Sequence, residues 1–187
     1  MKAYKAFEKG LVCRGYQFYA DKVNITDKAN CVQNGFHCAE NPLDCLTYYS
    51  DFENAEYWQV EAYGDIDEDD RDSKISCTHI RLIKKLDIKS FVAEALKYIY
   101  CHPTRKADCY VVENEGTAEN LFVIVRGLNP IASGEKGSIL GFAQENGYGN
   151  IFKISMIEID GDNFKENIFY NSDGDRVFNT SEGLQDE

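Results

Sequence analysis

The chain has 187 residues, 43% of them hydrophobic and 13% aromatic, with three prolines. That composition fits one globular domain, or one domain with a small appended module, and excludes a disordered chain. Twenty Lys and Arg against thirty-two Asp and Glu give a formal net charge of −12. Such a field repels nucleic acid and anionic membrane and attracts basic protein surfaces.

The opening residues Met1 to Lys9 carry no apolar run of signal-peptide length, and runs such as 121–125 are too short to span a bilayer. A cytoplasmic protein is expected, with neither membrane nor direct nucleic acid as partner. Seven cysteines, an odd number, point to reduced thiols, mostly buried as small apolar side chains.

In chain order, residues 2–7 and 11–19 read as short strands interrupted at Gly10 and Gly15, and 31–38 as another around Val32 and Phe36. Asn41-Pro42-Leu43-Asp44 is a helix start: Asn41 can cap, Pro42 loses nothing at the first helical position, and Asp44 suits the positive end of the dipole. Residues 56–64 alternate as a strand, and the acidic run 65–72 reads as the loop after it. A strand over 75–86 puts Ile75, Cys77, His79 and Arg81 on one face and Thr78, Ile80 and Leu82 on the other. Asp87 then caps a helix whose Ile88, Phe91, Val92, Ala95, Leu96 and Ile99 repeat at helical spacing, closed by Pro103.

Beyond it, 109–113 and 120–126 read as strands, and 127–149 as a glycine-rich connection. The last forty residues suggest a small β-meander (151–159, 168–170, 176–178), with a turn at Asp160-Gly161-Asp162 and a polar tail from Asn179. The fold class expected is α+β: a mixed, largely antiparallel, β-rich core with two main helices and a C-terminal β-meander. The domains expected are an N-terminal α+β domain over 1–126 and, over 127–187, the connection with its β module.

Motifs for standard chemistry are missing. His37, His79 and His102 form no His-Glu-x-x-His, and the sequence holds neither a Gly-x-Ser-x-Gly elbow nor a phosphate-cradling Gly-Lys-Ser/Thr loop. Cys31, Cys38 and Cys45 are spaced by seven without a tight pair, so no metal site is expected. The acids Asp65, Asp67, Glu68, Asp69, Asp70 and Asp72 lack the turn glycine of a calcium loop, and Ser76 stands where its bidentate glutamate would be. They read as a solvated loop, or as a negative patch that docks on a basic partner. Glu113-Asn114-Glu115 at a strand end would put two carboxylates on one side, where one orients and one activates a hydroxyl.

Lys2-Ala3-Tyr4-Lys5-Ala6-Phe7, Cys13-Arg14-Gly15-Tyr16-Gln17-Phe18, and the block from Gly35-Phe36-His37 through Glu40-Asn41-Pro42-Leu43-Asp44 to Tyr48-Tyr49 resemble an uncharacterised domain family of phages and gut bacteria. Many relatives in that family carry a long Ala-Ser-Gly repeat, reduced here to Ile131-Ala132-Ser133-Gly134. More distantly, Arg14-Gly15, then Gly35-Phe36-His37, a short helix and Val60 to Asp65 resemble the NAD-binding half of ADP-ribosyltransferases. That resemblance implies Arg14 as the residue that holds the dinucleotide and Glu113 or Glu115 as the catalytic glutamate, with His37 a further catalytic candidate, although no Ser-Thr-Ser follows.

Two readings result. One is a non-catalytic, cofactor-free acidic protein of phage or mobile-element type, whose carboxylates cover a basic groove on a host protein such as a nucleic-acid-guided defence nuclease. The other is an ADP-ribosyltransferase-like enzyme or an NAD-binding remnant of one.

Overall fold

The computed structural model describes residues 1–31, 33–68, 72–105 and 110–178. The protein is α+β and rich in strand, with one 3-10 helix and one α-helix among the described residues. It gathers into two compact units, Met1–Tyr98 and Ile99–Glu187.

In the first unit, β1 (Lys2–Glu8) pairs antiparallel with β6 (Ala55–Glu68) along its whole length and meets β5 (Phe36–Ala39) at Tyr4 and Ala39. β6 pairs with β7 (Lys74–Leu86), and β7 pairs with β5, so four strands close a ring. β2 (Val12–Cys13) and β3 (Tyr16–Gln17) make a hairpin beside β1, and β4 (Asn24–Ile25) lies on β7. The core holds Ala3, Phe7, Phe18, Phe36, Val60, Ala62, Ile75, Ile80 and Leu82. Because side chains alternate along a strand, Lys5 shares the face of Ala3 and Phe7.

Two helices follow the expected signals. The 3-10 helix Pro42–Thr47 is capped by Asn41, whose Oδ1 accepts from Leu43 N at 3.1 Å. α1 (Ile88–Cys101) starts at Asp87, whose carboxylate accepts from Ser90 N at 2.7 Å, and buries Phe91, Val92, Ala95 and Leu96. Phe91 sets its ring edge-on against Tyr57 and Phe52, fixing the helix to β6.

Other expectations change. The 11–19 stretch is two strands, because Arg14 (φ 49°) and Gly15 (φ 77°) both take left-handed backbone and form the two-residue turn between β2 and β3. Among the described residues of 31–38 the strand is β5: the chain bridges Asn30 to Asn34, and Gly35 (φ 91°) then brings the backbone against Ser76. Val32 lies outside the described residues.

The acidic run is not loop as far as Glu68. β6 continues past a bulge at Tyr63–Ile66, pairing Asp67 with Ser76 and Glu68 with Ile75. Backbone pairing is indifferent to side-chain charge provided the acids face water, and Asp65, Asp67 and Glu68 are exposed. Asp69 and Asp70 lie outside the described residues. Along β7, Ile75, Cys77, Ile80 and Leu82 all join one core, so the two-face alternation breaks opposite that bulge.

The second unit is a short stack of parallel coils. β8 (Val111–Ala118) runs parallel to β9 (Phe122–Gly134), and β9 parallel to β10 (Ile139–Glu145). Parallel neighbours joined by so few residues require each coil to turn a corner and return beneath itself. Asn114 (φ 62°) makes one such corner, and the register steps from Glu113↔Arg126 to Glu115↔Ile131 across it. β11 (Ile151–Glu158) pairs antiparallel with β10, while β12 (Phe169–Asn171) pairs with β9 and with β13 (Arg176–Val177). Thus 127–149 holds half of β9 and all of β10. The boundary drawn at 126/127 falls inside β9, and the compact units divide at 98/99 instead. Ala132, Ser133 and Gly134 are buried against Gly116, Thr117 and Ala118, where small side chains let the coils close up. The tail from Asn179 lies outside the described residues.

Candidate ligand-binding cavity

The first unit carries a half-open cavity of about 350 Å³, walled by β1, the β2–β3 turn, β5, the 3-10 helix and Lys74. Tyr16, Phe18 and Phe36 form an aromatic wall, with Tyr16–Phe36 and Phe18–Phe36 ring centroids 5.1 and 5.0 Å apart. Lys5, Arg14, His37 and Lys74 supply its basic groups, and Asp44 is the one carboxylate among its described lining residues. Asp44 is committed to structure: its Oδ2 accepts from Ser73 N at 3.0 Å and from Ser73 Oγ at 2.5 Å.

Arg14 stands on the left-handed hairpin turn, exposed, and makes neither hydrogen bond nor ion pair among the described residues. Left-handed backbone at a residue with a Cβ costs about 1 kcal/mol, so the turn holds a guanidinium at the cavity in a conformation that glycine or asparagine would adopt more readily. Across the cavity, the His37 imidazole titrates below its ordinary range. Burial is the chief cause, followed by the positive charges of Lys5, Arg14 and Lys74. The ring is therefore neutral at pH 7.

Lys5 is only 6% exposed. Its Nζ donates to the His37 carbonyl at 2.7 Å, lies 3.6 Å from Cys13 Sγ, and sits over the rings of Phe7 and Phe18 at 5.3 and 5.1 Å. Tyr49 Oη also approaches Cys13 Sγ, at 3.4 Å. Cys45 lies in the same wall, its thiol pushed up to about 12 by burial, and is a protonated apolar side chain. All six cysteines of the described residues are free thiols, three of them buried: Cys38, Cys45 and Cys77. Among the described residues no group of three or more His, Cys, Asp or Glu gathers to hold a metal ion.

Arg14 and His37, singled out from distant parts of the sequence, thus line one cavity. Glu113 and Glu115 do not: both are exposed on β8 of the second unit, separated by the Asn114 corner that removes the simple alternation expected of them. Asp67 Oδ2 accepts from Cys31 N at 2.6 Å and Asp72 lies 3.7 Å from Lys74 Nζ, so two of the six acids support local structure. Lys5 and Lys74 were not foreseen. The signal for Lys5 was present: a lysine between Ala3 and Phe7 in a strand period of two.

These features define a small closed β domain with a basic, aromatic-walled cavity, in a chain whose second unit is a stack of parallel coils. The chain belongs to the family described as "Domain of unknown function (DUF7666)", which matches residues 1–94 and so includes every residue of the cavity wall. Neither a curated protein nor a solved structure matches the chain. Among the described residues no helix is long and apolar enough to cross a membrane.

Proposed function

We propose that the first unit binds a nucleotide-type ligand in this cavity, with NAD the candidate that the likeness to ADP-ribosyltransferases suggests. The observation that carries the reading is the convergence of Arg14 and His37 on one cavity whose described charged lining is three cations to one committed carboxylate, in a chain of net charge −12. Aromatic walls with a few convergent polar groups are what small-molecule sites share, and a base can stack on Tyr16 while phosphates meet Arg14. The described lining contains no glutamate to stabilise a ribosyl cation, so the reading is of binding without transfer. Thermal unfolding with NAD tests it. At tenfold excess over Kd the melting temperature should rise by roughly 3–6 °C. Arg14→Asn should reduce the rise while stabilising the apo protein slightly, because asparagine suits the turn. An unchanged melting temperature for the wild type sinks the reading.

A second reading is docking of the acidic surface on a basic groove of a host protein, as a phage-type inhibitor of a defence nuclease would do. The exposed Asp65, Asp67 and Glu68 at the end of β6 favour it. Capture by a basic nuclease at two salt concentrations is its test.

A further inference from the structure

Lys5 is out of keeping with its surroundings. It occupies the inward face of β1 between Ala3 and Phe7, both fully buried, and its own side chain is more than nine-tenths buried. A buried ammonium is ordinarily matched by a carboxylate, since an uncompensated charge in apolar surroundings is strongly destabilising. None of the ion pairs among the described residues includes Lys5, whose contacts are one carbonyl, one sulfur and two ring faces. The one carboxylate among the described lining residues is spent on Ser73. Arg14, which makes neither hydrogen bond nor ion pair among the described residues, lines the same space.

We infer that Lys5 is the anchor of an anion site: its buried ammonium takes a phosphate or pyrophosphate group of the ligand, which supplies the negative charge that the fold leaves out. This rests on reading the cavity as the ligand site, and it assigns the principal contact to Lys5 rather than to Arg14, the residue that the resemblance points to. An oxyanion reaching Lys5 Nζ would receive a charge-assisted hydrogen bond in a setting shielded from water. The ammonium already donates to the His37 carbonyl, so its direction is fixed before the ligand arrives.

The test compares wild type with Lys5→Met in titrations with pyrophosphate and with NAD, at ionic strength matched with chloride. Methionine keeps the length of the stem, so the variant should fold. Removing an unpaired buried charge should also raise its melting temperature in the absence of anion, which checks that any lost binding is not unfolding. Pyrophosphate should bind the wild type, and Lys5→Met should weaken it at least tenfold. If pyrophosphate binds in this way but NAD does not, the dinucleotide reading fails and the anion site stands. If wild type ignores pyrophosphate, or if Lys5→Met binds it as well as wild type does, the inference is overturned.

Discussion

His37 makes the electrostatics of the cavity measurable. Its pKa is held below the ordinary histidine value by burial and by Lys5, Arg14 and Lys74. The sign follows: a group whose folded pKa is depressed binds fewer protons folded than unfolded below pH 6.5, so stability is complete above that pH and declines as pH falls. An anion in the cavity offsets the three cations and makes protonation of His37 easier. Melting temperatures from pH 8 to pH 5 should therefore fall less steeply with sulfate present than without, and His37→Gln should remove that difference. Sulfate keeps its charge throughout this range, so the ligand contributes no titration of its own. Identical pH profiles with and without sulfate would show that no anion reaches the imidazole. At this scale Arg14 and His37 were legible through resemblance. Lys5 was legible only in the alternation of β1, against the general tendency of a strand lysine to face solvent.

Among the elements, α1 is tied to β1 by one carboxylate. Glu94 accepts from Lys2 Nζ at 2.5 Å and Tyr4 Oη at 2.8 Å on β1, and from Lys97 Nζ at 2.8 Å one helical turn along. Burial acts to raise its pKa, but the hydrogen bonds from Lys2, Lys97 and Tyr4 outweigh it and hold the carboxyl at about 2. This depressed value makes the contribution complete above about pH 4.5 and lost as pH falls toward 2. Glu94→Gln should destabilise by about 1–2 kcal/mol at pH 7, discounted for the half-exposed Lys2, and by much less near pH 2. Urea melts at the two pH values measure the difference, and an equal loss at both would mean that packing rather than charge fastens the helix. Helix boundaries were legible because Asn41, Asp87 and the 88–99 stripe encode them locally. Strand pairing was not. β6 runs on through acids because its partner β7 reaches that far, and β9 and β10 hide in a glycine-, serine- and alanine-rich stretch that stacks by coil rather than by alternation.

On the scale of the whole chain, charge is divided unevenly. Residues 1–98 carry thirteen Lys and Arg against seventeen Asp and Glu, a net of −4, and the remaining residues carry −8 of the total −12. The division was open to counting, but the boundary that gives it meaning was not, since α1 runs across it without a break in its pattern. A field of this sign speeds encounter with a basic partner and is screened beyond about 8–10 Å at physiological salt. If docking uses the end of β6 in particular, neutralising Asp65, Asp67 and Glu68 together as Asn, Asn and Gln should weaken capture by a basic nuclease at least tenfold at low salt. The same three changes placed at Glu158, Asp173 and Asp175 would lower the net charge equally and should leave capture nearly intact. Equal loss from both sets would assign the attraction to net charge alone, and no capture by the wild type at low salt would remove the docking reading. The nucleotide reading would remain untouched in either case, because Asp65, Asp67 and Glu68 are not among the residues that line the cavity, whose cations are Lys5, Arg14 and Lys74.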